Sequence, residues 1–538
     1  MPTRFQPHLY LLNANLTSRI LSVFLLFFLS ACGTPNLNRN YAHNYPENAE
    51  FEQKTATALY ADAFEHIVHY YIEEIDASRL ALAAMDNLAT LDPEIDIIDA
   101  GSSLTFTYSG EAISRHSYPS TIDHKAWARL TASVISEASR FSSPLRRATG
   151  EQIHQAIFDG VAGELDKFSR YSNPDKALAY RDNRNGFSGI GIRYIKEKTG
   201  ARIVSVMENT PALAVGLQEG DIIIKVDGTD IIPLPENEIT KLMKGPKNTT
   251  VELTVKRPNS AAPLIYKITR KKIAVQTVFY KRMGNIAYLQ ISSFNKQTPQ
   301  NLLTKVRTAQ KEIGDNLLGY ILDLRDNGGG IKIASVTSAD LFVSSGTLSS
   351  VKGRNPESHD LDVAKSRDIA KGQPIIVLIN ANSASSSEIL AAGLQDSGRA
   401  LVVGSNSYGK GTVQSINELP NGGEFRVTWA KFLAPSGYAI HDRGIIPNVC
   451  TTNENYSSAD DIIQRLQSGT LEMTYHIQKY APDTPSAGES LEQIRASCPQ
   501  RTETMEIDLE VAKSLISSSK LFNMAKNNTN STTSELVN

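Results

Sequence analysis

The chain is poor in cysteine, in tryptophan, in net charge and in long apolar runs. Its 538 residues include three cysteines and two tryptophans. Three cysteines exclude a disulfide-built scaffold and a zinc site of four cysteine ligands. The odd count also leaves one cysteine in need of its own explanation. With 55 Lys+Arg against 57 Asp+Glu the net charge is −2, which gives no electrostatic ground for a nucleic-acid partner. The apolar run Ile20–Leu29 reaches about 15 Å as a helix, half of a membrane's hydrocarbon thickness. No later run approaches a span. What is present is a 41% hydrophobic fraction, enough for buried cores, in a length that suggests about three or four domains.

Arg4 and Arg19 precede the apolar run with no acidic residue among them, so residues 1–31 read as a signal peptide. Leu29-Ser30-Ala31-Cys32-Gly33 resembles the lipobox of bacterial lipoproteins, which implies a diacylglycerol on Cys32. An ordinary secretory signal with a chance cysteine is the other reading. Residues 32–56 are rich in Asn, Pro and Tyr and suit a tether. The expectation is a lipoprotein of the bacterial cell envelope, membrane-anchored and facing the periplasm. Gly33 after the cysteine favours the outer membrane under enteric sorting rules.

Apolar spacing makes the remainder an α+β multidomain chain. Leu59, Phe64, Ile67, Tyr71 and Ile75 fall at helical intervals, and a second helical stretch runs from about Ala126 to Phe168. Residues 57–180 are therefore expected to be mostly helical, with 92–120 irregular or strand-like. Residues 181–273 turn to short strands such as Val251-Glu252-Leu253-Thr254-Val255, punctuated by Asp227-Gly228 turns. Residues 274–449 alternate apolar strands with helices, the pattern of a layered α/β core. Residues 450–538 form a C-terminal extension whose Asn/Ser/Thr-rich tail beyond about Met524 reads as disordered.

Two stretches concentrate chemistry. The first, Asn380-Ala381-Asn382-Ser383-Ala384-Ser385-Ser386-Ser387-Glu388, lies between an apolar strand and a helix, where helix-terminal N–H groups stabilise anions. Serines there also serve simply as N-caps. The second, Gly404-Ser405-Asn406-Ser407-Tyr408-Gly409-Lys410-Gly411-Thr412, nearly matches a phosphate-binding loop. Gly411, however, stands where that loop needs a magnesium-binding hydroxyl. Together the stretches point to a hydrolase in which a lysine, neutralised by burial, activates a serine. Gln414 is placed to orient the lysine amine if the two share an element. No histidine is comparably placed. His66, His69 and Glu73 share a helical face that reads as solvated or inter-subunit, so no metal and no cofactor is expected.

These stretches resemble the carboxy-terminal processing peptidases, a serine protease family, over roughly residues 60–449. The resemblance rests on Ser383-Ala384-Ser385-Ser386-Ser387-Glu388, on Gln395-Asp396-Ser397-Gly398-Arg399 and on Tyr408-Gly409-Lys410-Gly411-Thr412-Val413-Gln414. It implies Ser385 as nucleophile, Lys410 as base and Gln414 as its support, with Glu388 and Asp396 in supporting positions. Ser386 stands where the family usually has alanine. Asp323-Leu324-Arg325-Asp326-Asn327-Gly328-Gly329-Gly330 resembles the family's oxyanion loop, implying Gly329 or Gly330 with the N–H of Ser386 as donors. Residues 181–273 resemble a PDZ domain, with Phe187, Gly189, Ile190, Gly191 and Ile192 as the carboxylate-binding loop. That implies protein or peptide partners with apolar C-termini, although a PDZ fold also serves as a spacer or gate. A non-catalytic PDZ adaptor is the competing reading. The N-terminal region is the candidate surface for self-association or an adaptor partner. If Cys32 is acylated, Cys450 and Cys498 remain, and in an oxidising compartment they are expected to pair.

Overall fold

The sheet that carries both serine and lysine stretches is built around central strands apolar on both faces. Its order is Val278–Met283, Ile286–Ile291, Gly319–Asp323, Ile375–Ile379, Leu401–Gly404 and Val449–Cys450, parallel except for the first pair. Successive side chains of a strand point to opposite faces. Accordingly Tyr320, Leu322, Val377 and Val402 join one buried cluster, whereas Ile321, Ile376, Leu378 and Leu401 join another. Helices Thr298–Ile313, Lys332–Asp340 and Ser386–Asp396 supply the first cluster. Helices Ala459–Ser468, Glu506–Ser517 and Ser519–Ser531 supply the second. The computed structural model describes residues 50–258, 260–273, 275–452, 456–471 and 491–531. The expected signal peptide, Cys32 and the tether up to residue 49 lie outside the described residues.

The C-terminal extension is thus the second helical layer of this core, and the boundary expected at 449/450 falls inside a strand. The expected disordered tail is corrected as far as Ser531, because helix Ser519–Ser531 continues past Met524, and residues 532–538 lie outside the described residues. Leu521, Phe522 and Ala525 recur at helical spacing and are buried, so packing overrides the polar composition.

A second sheet orders Asp360–Val363, Thr347–Lys352, Glu424–Leu433 and Thr412–Glu418, with Arg170–Ser172 also paired to Glu424–Leu433. It links the core to the N-terminal region, whose cluster of Leu59, Phe64, Ile67 and Trp127 includes Phe425 and Val427. The N-terminal helices are Gln53–Tyr70, Ala77–Asp86, His124–Phe141, Ser143–Arg147 and Gly150–Gly163. The second helical stretch is broken because Ser142 and Pro144 start a new turn and Thr149 with Gln152 forms a capping box. Residues 92–120 contain a three-stranded antiparallel meander, Ile95–Asp99, Ser103–Tyr108 and Glu111–Ser117. The architecture is α+β and multidomain.

The β-rich region is a sheet ordered Leu264–Thr269, Thr250–Lys256, Ile222–Val226, Gly200–Val206 and Ile192–Glu197. Ile192–Glu197 is an edge strand, with helix Glu236–Met243 nearby: Tyr194 Oη hydrogen-bonds Thr240 Oγ1 at 2.6 Å.

Candidate active site

The serine stretch is folded by its own polar side chains. Ser383 Oγ donates to Leu324 O at 2.8 Å, Ser387 Oγ to Asn327 O at 2.7 Å and Ser386 Oγ to Gly330 O at 3.1 Å. These serines therefore tie the turn to the glycine loop. Ser385 stands between them at φ +58°, ψ −113°, a sparsely populated conformation that costs on the order of 1–3 kcal/mol. It is half-buried and opens helix Ser386–Asp396.

The glycine loop approaches closely enough to require its glycines. A Cβ on Gly329 would lie 3.0 Å from both Ser385 Cβ and Ser386 N, and one on Gly330 would lie 2.0 Å from Phe294 O. The N–H of Gly329 donates to Asn327 Oδ1 at 2.9 Å. The N–H groups of Gly330 and Ser386 have no hydrogen-bond acceptor among the described residues. Of the expected oxyanion donors, Gly329 is therefore engaged elsewhere, whereas Gly330 and Ser386 are open.

Glu388 joins the two stretches. It is fully buried, and its carboxylate accepts from Ser385 N at 2.6 Å, Lys410 N at 3.0 Å, Gly409 N at 2.7 Å and Ser407 Oγ at 2.6 Å. Burial raises its pKa, against the opposing pull of these four donors. Lys410 lies in the loop before strand Thr412–Glu418, its Nζ 5.0 Å from the centroid of the Phe168 ring. Burial, then the positive charges of Arg170 and Arg426, pull its ammonium down to about 8; Asp166 and Glu388 oppose them.

Ser385, Lys410, Gln414, Gly329, Gly330 and Ser386 line one cavity of about 600 Å³. No hydrogen bond joins the side chains of Ser385 and Lys410. Gln414 lies on the strand and Lys410 before it, so they do not share an element. Gln414 Nε2 instead donates to Thr412 Oγ1 at 2.9 Å and Thr428 Oγ1 at 3.3 Å. Thr428 Oγ1 in turn donates to Asp166 Oδ1 at 2.9 Å. Asp396 is not brought to the cavity. It ends the helix that Ser385 begins, about 15 Å away at 1.5 Å per residue, and accepts from Ser436 N and Oγ.

Phe187, Gly189, Ile190, Gly191 and Ile192 line a second cavity of about 270 Å³ beside the edge strand, with Met207 and Met243. Ile190 is itself buried in the local core. Asn183 and Val275 line both cavities, so the two adjoin.

The model of Peptidase family S41 matches residues 285–451, and that of the PDZ domain matches residues 178–256. A carboxy-terminal-processing protease of Bartonella bacilliformis is 36% identical over 333 residues, 61% of this chain and 76% of that protein. The chain belongs to this family of carboxy-terminal-processing proteases. It is a serine peptidase with a PDZ domain. A probable CtpA-like serine protease of Staphylococcus haemolyticus is 33% identical over 317 residues, covering 58% of this chain and 63% of that one. Among solved structures, a photosystem II D1 C-terminal processing protease has 23% identity and a TM-score of 0.37, covering 73% of this chain and 92% of that one.

Four residues around this protease's Lys410 were not legible in the sequence: Asp166, Phe168, Arg170 and Arg426. Three come from the end of the N-terminal region, which carries no motif, and the fourth from an ordinary-looking strand. The strand pairing Arg426↔Arg170 and the bond from Thr428 to Asp166 bring them to Lys410. Among the described residues, no group of three His, Cys, Asp or Glu side chains is placed to hold a metal ion, and no helix is long and apolar enough to cross a membrane.

Proposed function

We propose that this protease is an endopeptidase of the bacterial cell envelope that selects substrates by their C-termini and cleaves them with a Ser385–Lys410 dyad. The observation that carries the reading is a lysine held at about 8 in the cavity that contains Ser385. A serine hydroxyl needs a base to become a useful nucleophile, and only a neutral amine is one. Lys410 takes the proton of Ser385 Oγ as that oxygen attacks the substrate carbonyl. The resulting oxyanion receives the N–H groups of Gly330 and Ser386, donors worth about 3–4 kcal/mol to the transition state. Lys410 then hands its proton to the departing amine, leaving an acyl-enzyme on Ser385 that water hydrolyses by the reverse sequence. Gln414 acts at a distance, by holding Thr412 and Thr428 around the cavity. Glu388 positions both reacting residues through their backbones.

The PDZ domain presents an edge strand for a substrate tail, with the turn Ile190-Gly191 between strands Phe187–Gly189 and Ile192–Glu197 for its terminal carboxylate. The apolar lining by Phe187, Ile192, Met207 and Met243 supports a preference for an apolar last residue. Acylation of Cys32 would hold the protein at a membrane, favouring the outer one, and an oxidising periplasm would keep Cys450 and Cys498 joined.

The test uses an unfolded substrate with an apolar C-terminus, incubated with the wild type, Ser385→Ala and Lys410→Ala. Both variants are expected to be inactive while still binding the tail. Retained cleavage by either variant overturns the dyad. Equal cleavage of a C-terminally amidated substrate overturns the tail selection.

A further inference from the structure

The sheet face next to Lys410 carries a feature that folding alone disfavours. Arg426 sits directly opposite Arg170 across an antiparallel pair, and like charges in that position repel. Both arginines line the cavity that holds Ser385. Arg426 is stacked on the Tyr180 ring at 4.1 Å, and its Nε is buried without a hydrogen-bond partner. Nearby anions do not balance the charge. Glu424 is the only carboxylate within ion-pair distance of Arg426 among the described residues, at 3.6 Å. The same Glu424 is already held by Arg184 at 2.6 Å and Arg181 at 3.2 Å. Arg170 is exposed and has no ion pair among the described residues. Lys332, also at the cavity, is engaged by Asp360 and Asp362. A planar guanidinium fork suits a carboxylate in both shape and charge.

Position gives the register. Gln414 pairs with Thr428, and two residues further along the same strands Ile416 pairs with Arg426 and Arg426 with Arg170. All of these share one face, because side chains alternate. The arginine row is therefore about 7 Å beyond the Gln414 row, the reach of two residues of extended peptide. We infer that Arg170 and Arg426 form a subsite for a carboxylate of the bound polypeptide in the cavity that contains Ser385, about two residues of extended peptide beyond the Gln414 row. The carboxylate is either an acidic side chain or a free chain end. This goes beyond tail selection by the PDZ domain: it assigns a second, electrostatic preference to the catalytic cavity itself, and it rests on Ser385 marking the scissile position.

The experiment separates this subsite from catalysis by using full-length Ser385→Ala protein and fluorescence anisotropy. A neutral, labelled peptide with an apolar free C-terminus carries one Glu or one Gln, moved through successive positions. Glu is expected to bind about tenfold more tightly than Gln at one or two adjacent positions. That gain should vanish when Arg170→Gln or Arg426→Gln is added. A second arm ends the peptide at the responsive position as a free acid or an amide, which tells a chain end from a side chain. Arg170→Gln breaks no ion pair or side-chain hydrogen bond among the described residues and decides the matter if Arg426→Gln fails to fold. A flat scan in both arms, or a gain that survives Arg170→Gln, overturns the inference. Because Ser385→Ala needs no turnover, neither result depends on the dyad, which the cleavage assay tests by itself.

Discussion

In the proposed dyad Lys410 must lose its proton before it can accept one from Ser385, so its surroundings would set the working pH. The groups facing it are the Phe168 ring, the positive Arg170 and Arg426, and the negative Asp166 and Glu388. Burial and the two arginines disfavour the ammonium, the two carboxylates favour it, and the balance leaves it near 8. At pH 7 roughly a tenth of the free protease then carries a neutral Lys410. The expected kcat/KM rises with pH through a midpoint near 8. Replacing Arg170 by Gln removes a positive neighbour, favours the ammonium and moves that midpoint upward. A downward or unmoved midpoint would separate the arginine from the lysine. Glu388 is the second residue that decides geometry. In Glu388→Gln one acceptor oxygen becomes a donor facing donors, at a cost of about 3 kcal/mol. The associated shift of Ser385 or Lys410 should lower kcat on the order of 100-fold with tail affinity unchanged. Thermal melting and a kcat-against-KM comparison measure the two effects separately.

The helix Ser386–Asp396 separates what sequence patterns reveal from what they conceal. Its N-terminal end holds Ser385, Ser386 and Glu388 at the cavity, and its C-terminal end holds Asp396 against Ser436. Proximity of Asp396 to a motif in the chain is therefore not proximity in space. Asp396→Ala is expected to cost about 1 kcal/mol of stability and to leave kcat within about twofold. A large loss of kcat at unchanged stability would return Asp396 to the site. The strands of the core were legible because Gly319–Asp323 and Ile375–Ile379 are continuous apolar runs, as burial on both faces requires. The layer covering their second face was not, because Glu506–Ser517 is an amphipathic helix without a motif. Its role emerges only when Val511, Ala512 and Leu515 meet Ile321 and Leu378. Likewise the support of Lys410 by Gln414 is expected from spacing and from the resemblance, without the local strand geometry. The strand start at Thr412 and the bulge between Val413 and Gln414 redirect that amide to two threonines.

On the scale of the whole molecule, the C-terminal extension braces both the serine stretch and the lysine loop. Arg501 O accepts the N–H of Ala381 at 2.9 Å, and Thr502 O accepts Asn380 Nδ2 at 3.0 Å, both in the serine stretch. Gln500 Nε2 donates to Ser407 O in the lysine loop. Arg325, at the start of the glycine loop, reaches Asp508 Oδ2 at 3.2 Å and Met505 O at 2.8 Å. Immediately before this brace, Cys498 is bonded to Cys450 on the last strand of the sheet, closing a separation of 48 residues. Ile446 and Ile494 pack around the pair. On the chain-entropy model such a loop contributes about 4 kcal/mol. Cys498→Ser removes that constraint and frees the segment that carries Gln500, Arg501 and Thr502. The expected result is a lower melting temperature together with reduced cleavage, matched by wild type treated with a reductant. Because the PDZ cavity has no contact with residues 495–508 among its lining, tail binding should be unaffected in the same samples. Reduced tail binding would show that the bridge stabilises the molecule as a whole, and full cleavage by the reduced protein would show that the brace holds without it.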